Sequence, residues 1–184
     1  MDKRRELTKR LIADGFKSLM LRLPFEKISI RTITDEVGIR RPSFYNHFQD
    51  KYDLLEWVIA DEIVEPSRAL MEQGEVLSAI EGMLERLSAE ADFYRRACAV
   101  TGQNGFREGF IRELGELFLL AVPEDPALPG DLPRKVVALY HAMCFDTVVE
   151  LFLSARHEVA PGELMSVYRC LTETPLWGNE PKNT

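Results

Sequence analysis

The chain has 184 residues, of which 46% are hydrophobic, so it holds enough apolar side chains for one substantial core or two small ones and is not disordered as a whole. Its net charge of -7 argues against a nucleic-acid partner for the chain taken as a whole. The charge is unevenly distributed, however. Residues 1–51 carry 12 Lys and Arg against 7 Asp and Glu (+5), and residues 52–184 carry 11 against 23 (-12). This separation predicts a basic DNA-binding part followed by an acidic remainder.

The first predicted helix covers residues 3–22 and ends before Pro24. Ser29 can cap a short second helix that stops at Gly38, a residue that tolerates positive φ. Pro42 then suits the first turn of a third helix, which turns Phe44 and Phe48 inward. The pattern is that of a helix-turn-helix.

Most side chains that this arrangement leaves outward are hydrogen-bond donors, and no carboxylate is expected among them. The predicted DNA-binding residues are Arg31, Thr32, Arg40, Arg41, Pro42, Ser43, Tyr45, His47 and Lys51. Such a surface suits a phosphate backbone, and we expect base contacts mainly from Arg41 and Ser43.

Residues 38–55 read G-I-R-R-P-S-F-Y-N-H-F-Q-D-K-Y-D-L-L, which resembles the signature of the TetR family of one-component transcriptional regulators. The resemblance implies an all-α fold of nine helices, with a DNA-binding domain (residues 1–50, called the head) and an effector-binding and dimerisation domain (residues 51–184, called the body). It also makes Lys51 a phosphate contact. Arg40 departs from the usual Ser or Thr cap of the recognition helix, at a cost of roughly 1 kcal/mol. Segments such as D-K-Y-D-L-L-E-W resemble the dihydroxyacetone-kinase-regulator-like subgroup, and we carry over its architecture only.

Asp50 can cap the fourth helix, with Asp53 three positions later in a capping-box arrangement. Pro66 should perturb the far end of this helix. Apolar spacing predicts helices near 76–87, 93–101 with Asp92 as its cap, and 106–118. A proline-rich loop precedes a long eighth helix that Asp131 should cap and that runs to about residue 155, and the ninth helix follows Pro161.

Apolar residues almost encircle the eighth helix, which one small monomeric body would not bury. We therefore expect a homodimer through the eighth and ninth helices, although a central helix buried inside a monomer is the alternative. The predicted interface residues are Phe145, Val149, Phe152, Leu164, Val167, Tyr168 and Leu171.

A small-molecule pocket is expected among helices five to eight, where aromatic side chains alternate with a few polar groups. Its predicted residues are Phe93, Tyr94, Cys98, Gln103, Phe106, Phe110, Tyr140, His141 and Cys144. Each of them taken singly fits an ordinary core position as well.

No catalytic motif, signal peptide or C-x-x-C pair is visible, and no apolar run approaches the ~20 residues that span a bilayer. His141 and Cys144 could share a metal ion but fit core positions better, so we expect no metal or cofactor. The sequence predicts a cytoplasmic, ligand-responsive homodimeric repressor of a palindromic operator in double-stranded DNA. The alternative is a co-regulator of the same fold that a protein partner switches.

Overall fold

The computed structural model describes residues 3–100, 106–124, 133–154 and 160–173. Within these ranges the fold is all-α, as predicted, and contains nine helices when residues 51–72 are counted as one. The first four are α1 (Lys3–Arg22), α2 (Ile30–Val37), α3 (Arg41–Tyr45) and α4 (residues 51–72), with a 3-10 turn at Phe25–Lys27. The others are α5 (Val76–Ala89), α6 (Ala91–Cys98), α7 (Phe106–Ala121), α8 (Arg134–Ser154) and α9 (Pro161–Glu173).

The head is built around a close approach of α1 and α2. A Cβ added at Gly15 of α1 would overlap the Val37 side chain of α2, so the lack of a side chain sets this spacing. Ile12, Phe16 and Phe44 are fully buried beneath it. The three helices of the head thus share one apolar core, which the predicted inward positions had indicated.

Helix α4 is continuous from the head into the body but changes its winding on the way. It consists of Lys51–Ile59, a π-helical turn at Ala60–Val64 and Glu65–Glu72. In the π turn the Glu65 N–H bonds the Ala60 carbonyl, five residues back. Pro66, which has no N–H to donate, follows directly, so the predicted perturbation is a π turn rather than a break.

Two predicted caps of the body helices have different outcomes. Asp92 does not cap α6, because that helix starts one residue earlier and the Asp92 carboxylate instead pairs with Arg95 at 2.6 Å. Asp131 lies outside the described residues.

The predicted dimer interface was largely assigned to the wrong side of α8 and α9. Most of its members are buried inside the protomer at 7% exposure or less, where they pack against α5 and α7: Phe145, Val149, Phe152, Leu164 and Tyr168. Val167 and Leu171 are exposed. Periodicity shows that a helix has two apolar sides but does not show which side its own protomer covers.

Helix α8 is also long and apolar enough to cross a membrane by length and composition alone. In the fold it packs along α7 and α9, and 44% of its most apolar window is buried within the protomer. One side of this apolar helix therefore belongs to the core of the body.

Gly38 ends α2 in the left-handed region at φ 70°, whereas Gly115 lies within α7 with nothing within 4 Å of an added Cβ. We expect Gly38→Ala to lower the free energy of unfolding by about 1 kcal/mol, because a Cβ is strained at positive φ. Gly115→Ala should raise it by about 0.5 to 1 kcal/mol. Urea unfolding of both variants measures these changes, and two changes of equal sign would contradict the assignment.

Candidate DNA-binding surface and neighbouring clefts

The turn between α2 and α3 is fixed by local backbone chemistry. The Ser29 Oγ accepts a hydrogen bond from the Thr32 N–H at 3.1 Å, which caps α2 as predicted. Gly38 then reverses the chain toward α3. Arg40 occupies the N-cap position of α3 and makes no side-chain cap hydrogen bond, so the recognition helix lacks the usual cap.

The outward side of α3 carries an ordered pair of side chains. The Arg41 guanidinium donates to the Tyr45 hydroxyl through Nη2 at 2.9 Å and Nε at 3.3 Å, and lies 5.5 Å from the centre of the Tyr45 ring. Tyr45 is 47% exposed although it is aromatic. A cation held over an exposed ring suits a contact with an anionic, stacked partner.

The flank of this surface formed by α2 is less uniformly basic than the sequence predicted. Arg31 is almost fully exposed, but the Asp35 carboxylate lies 3.6 Å from its Nε. The Thr32 hydroxyl is shared with Ser29 at 2.8 Å. A carboxylate therefore stands beside one of the predicted donors, because residues four apart share a helix face.

Lys51 performs a structural task that the sequence did not indicate. Its ammonium donates to the Phe25 carbonyl at 2.7 Å and the Ile28 carbonyl at 2.9 Å, and lies 4.2 Å from the centre of the Phe25 ring. Burial lowers its pKa. Two of its three N–H groups thus tie the start of α4 to the segment before α2, and one remains for a phosphate.

His47 lies between the recognition helix and the basic start of α1. Burial first, and then the charges of Arg5 and Lys9, lower the pKa of its imidazole. Arg5 also reaches the Asn46 carbonyl at 3.5 Å. Arg5 and Lys9 therefore adjoin the predicted surface although they were not among its residues, and the run of basic residues at the start of the chain was the signal for them.

The start of α4 shows a modified capping box. The Asp50 carboxylate accepts from the N–H groups of Tyr52 and Asp53 at 2.8 and 2.9 Å, as predicted. The Asp53 carboxylate accepts from the Gln49 N–H at 2.8 Å, one residue before the cap. This fixes the end of the reading segment to the helix that enters the body.

Where the structure describes them, the residues predicted to line an effector pocket fall into separate groups. Tyr94 is buried and donates to Glu62 at 3.0 Å, toward α1. Phe110, fully buried with Phe106 beside it, faces Phe145. Tyr140 and His141, whose ring centres lie 5.4 Å apart, form a third group with Cys144 on α8.

Tyr140 is 50% exposed and donates to the Leu171 carbonyl at 3.2 Å. His141 and the Tyr168 hydroxyl lie 3.0 Å apart. Phe93 is buried beside Tyr94, and Cys98 and Cys144 are partly buried. Gln103 lies outside the described residues. Residues that were grouped because each lies on an apolar helix face therefore take part in different helix–helix contacts.

Two clefts instead flank the junction of head and body. One of about 250 Å³ lies between the start of α4 and α7, where Arg112 pairs with Glu56. The other, of about 550 Å³, is bounded by α1, the π turn of α4, the end of α5 and α6. Each cleft is lined by residues of several helices and includes residues of the head.

Comparison with known proteins agrees with this geometry. Residues 12–58, which span most of the head and the start of α4, match the family model described as bacterial regulatory proteins, tetR family. Over these residues the head is similar to tetR-family regulatory proteins. The predicted resemblance is confirmed, and this family of regulatory proteins is not one of enzymes.

A curated relative, the HTH-type dhaKLM operon transcriptional activator DhaS of Lactococcus lactis subsp. lactis (strain IL1403), is 37% identical over 59 residues. The match spans about a third of each protein, 32% of this chain and 32% of the relative. It supports the head much more directly than the body.

Solved structures extend the likeness to the fold of the body. The dihydroxyacetone kinase operon activator DhaS superimposes with a TM-score of 0.63 at 20% identity, covering 90% of this chain and 92% of the other. The tetR-family repressor FadR of Thermus thermophilus, solved with lauroyl-CoA, gives 0.64 at 18% identity, covering 94% and 97%. At these identities the comparison shows a shared fold.

We expect Arg41→Ala to weaken binding to a preferred DNA sequence by ~1 to 3 kcal/mol and to relax base preference, because Arg41 is the exposed cation at the start of the tetR-type recognition helix. Tyr45→Phe removes only the hydroxyl and should weaken all sequences similarly. Mobility-shift titrations on selected and random duplexes measure both. The exposed Arg169→Ala in α9, paired with Glu173, is the control. Unchanged binding by the Arg41 and Tyr45 variants would rule out this surface.

Proposed function

We propose that this chain is a homodimeric transcriptional regulator that binds a palindromic operator in double-stranded DNA and responds to a small-molecule effector. The observation that carries the proposal is the tetR-type head, in which Arg41 and Tyr45 stand outward on a short recognition helix. A single copy of so short a helix reads only a few base pairs. A two-fold assembly would supply the second reading helix.

An exposed apolar stripe on α8 and α9 supports that assembly. In α8 it comprises side chains that are 45 to 54% exposed: Val136, Leu139, Tyr140, Met143 and Leu151. In α9, Val167 and Leu171 continue it at 37% and 40% exposure. Exposed apolar side chains at helical spacing along two packed helices fit an interface made by pairing the same helices of two protomers.

We propose that the chain represses transcription and that the effector relieves this repression. The name of the Thermus relative, a repressor solved with lauroyl-CoA, is in line with it. The name of DhaS, an operon activator, favours the second candidate, in which the chain activates transcription or is switched by a protein partner. A transcription assay with the operator upstream of and overlapping a promoter separates the two signs.

The dimer proposal predicts the effect of charge on the stripe. Met143→Glu and Leu151→Glu should each dissociate the dimer, since a carboxylate buried in an apolar interface without a partner costs several kcal/mol, on the order of the penalty for an unpaired buried charge. Leu21→Glu, at an exposed apolar position of α1, is the matched control. Light scattering at micromolar concentration measures the mass. A monomeric wild-type protein, or dimeric Met143→Glu and Leu151→Glu variants, would contradict the proposal.

The switch must obey thermodynamic reciprocity. Recognition helices that read half-sites one DNA turn apart need a spacing of ~34 to 36 Å, so an effector acts by preferring another spacing. A tenfold preference at each site is about 1.4 kcal/mol, and operator DNA must weaken effector binding by the same total factor. Calorimetry with free and operator-bound protein measures this. A ligand with equal affinity for both forms is not the inducer, and the protein-switched candidate would then be favoured.

A further inference from the structure

The larger cleft has one wall from the head and the others from the body. Ala13 and Asp14 of α1 face Trp57 and the π turn of α4, and Arg86 closes it from α5. Its volume of about 550 Å³ accommodates a molecule of metabolite size. Any ligand that fills it touches both domains.

Most charged groups in this cleft are already paired with one another. The Lys17 ammonium lies 2.7 Å from Glu62 and 2.5 Å from Glu90, and the Tyr94 hydroxyl donates to Glu62 at 3.0 Å. Arg10 lies 3.7 Å from Asp61. These groups are mutually paired, but the three carboxylates and two cations leave a net charge of -1, because Lys17 serves both Glu62 and Glu90.

Two further charged groups line the cleft, Asp14 from α1 and Arg86 from α5. The half-buried Arg86 guanidinium donates to the Ser67 hydroxyl at 2.6 Å, its Nε is buried without a hydrogen-bond partner, and no carboxylate among the described residues pairs with it. Asp14 is exposed and has no hydrogen bond or ion pair within the described part of the chain. A half-buried cation without an anion is costly, and it is usually matched by one.

We propose that this cleft binds a small zwitterionic metabolite of the free amino-acid type, whose carboxylate pairs with Arg86 and whose ammonium pairs with Asp14. The guanidinium fork suits a carboxylate in bidentate geometry. The partly buried Trp57 also lines the cleft and offers an apolar surface to the ligand's side chain. A ligand with only one of the two charges leaves the other group unmatched.

Because the ligand bridges α1 and the body, its affinity depends on how the head is oriented. It therefore shifts the spacing of the two recognition helices in a dimer, and this regulatory step rests on the proposed function. Binding in the cleft does not rest on it and can be tested without DNA.

The binding test is calorimetry of the full chain with each standard free amino acid, and with the N-acetyl and amide derivatives of any that binds. We expect at least one free amino acid to bind and both derivatives to bind at least about tenfold more weakly, because each has lost one charge-assisted pair. Trp57 fluorescence in a Trp177→Phe background reports occupancy of this cleft. Absence of binding by every free amino acid, or equal binding of the capped forms, would overturn the proposal.

Matched variants locate the site. Arg86→Gln and Asp14→Asn should each weaken binding by at least about tenfold, whereas Arg169→Gln and Asp35→Asn, which remove the same charges elsewhere on the surface, should leave it unchanged. Thermal unfolding of each variant without ligand reports folding, so a loss of binding in a folded Arg86→Gln protein counts for the site. Wild-type affinity in both cleft variants would overturn it.

A mobility-shift assay with the bound amino acid separates ligand binding in the cleft from regulation of DNA binding. A change in operator affinity that Arg86→Gln abolishes supports regulation through the cleft. Binding in the cleft with unchanged operator affinity overturns the regulatory step alone. If the chain binds no DNA sequence, the proposed function fails, and the calorimetric result still decides whether the cleft is a zwitterion site.

Discussion

Helix α4 belongs to the cores of both domains, and the rest of the structure depends on this sharing. Leu54 and Leu55 near its start are buried next to the head, and Ile63 and Met71 farther along are buried in the body. A rigid helix with apolar contacts at both ends passes any rotation of one domain on to the other. The short helices α2 and α3 have too little surface of their own to resist such a rotation.

Two lysine contacts supplement this apolar connection, and they differ in how easily another partner could replace the groups that they bind. The Lys51 ammonium donates to two backbone carbonyls and lies over the Phe25 ring, which fixes the start of α4 to the head. Lys17 joins α1 to two carboxylates of the body at the rim of a cleft. The first contact is made to backbone carbonyls, whereas the second lies where water or a ligand can reach its partly exposed carboxylates. The connection between head and body is therefore stiff along α4 and adjustable beside α1.

The sequence was most informative where a residue's role depends on its near neighbours. Ser29, Gly38 and Asp50 act as caps or stops through contacts within a few residues, and each was predicted. The order and number of helices followed from periodicity together with family resemblance. The prediction for residues 93–101 still missed the start and end of α6 by two to three residues.

Roles that depend on distant partners could not be predicted in the same way. Nothing near Lys51 in the sequence indicates the carbonyls of Phe25 and Ile28, and the basic run at the start of α1 did not reveal that Arg5 and Lys9 lie beside His47. Likewise, Phe145 and Met143 are both apolar residues of α8, but only the packing of α7 and α9 decides that the first is fully buried and the second 53% exposed. The residues predicted for the effector pocket were grouped by helix and not by contact, and the described members fall into separate helix contacts for this reason.

The π turn in α4 has a consequence for the length of the chain at this point. Along α4 the buried positions are the pairs Leu54 and Leu55, Val58 and Ile59, and Ile63 and Val64, followed by Ser67 and Met71; successive groups begin four residues apart except for one step of five across the turn. One residue of an α-helix corresponds to about 100° of rotation, so an α-helix lacking that extra residue would carry Ser67 and Met71 away from the core. The number of residues between Ile59 and Glu65 thus sets how the head is rotated relative to the body. Among proteins with this architecture, a single insertion or deletion in that interval would turn the head about the helix axis without altering any residue that faces DNA.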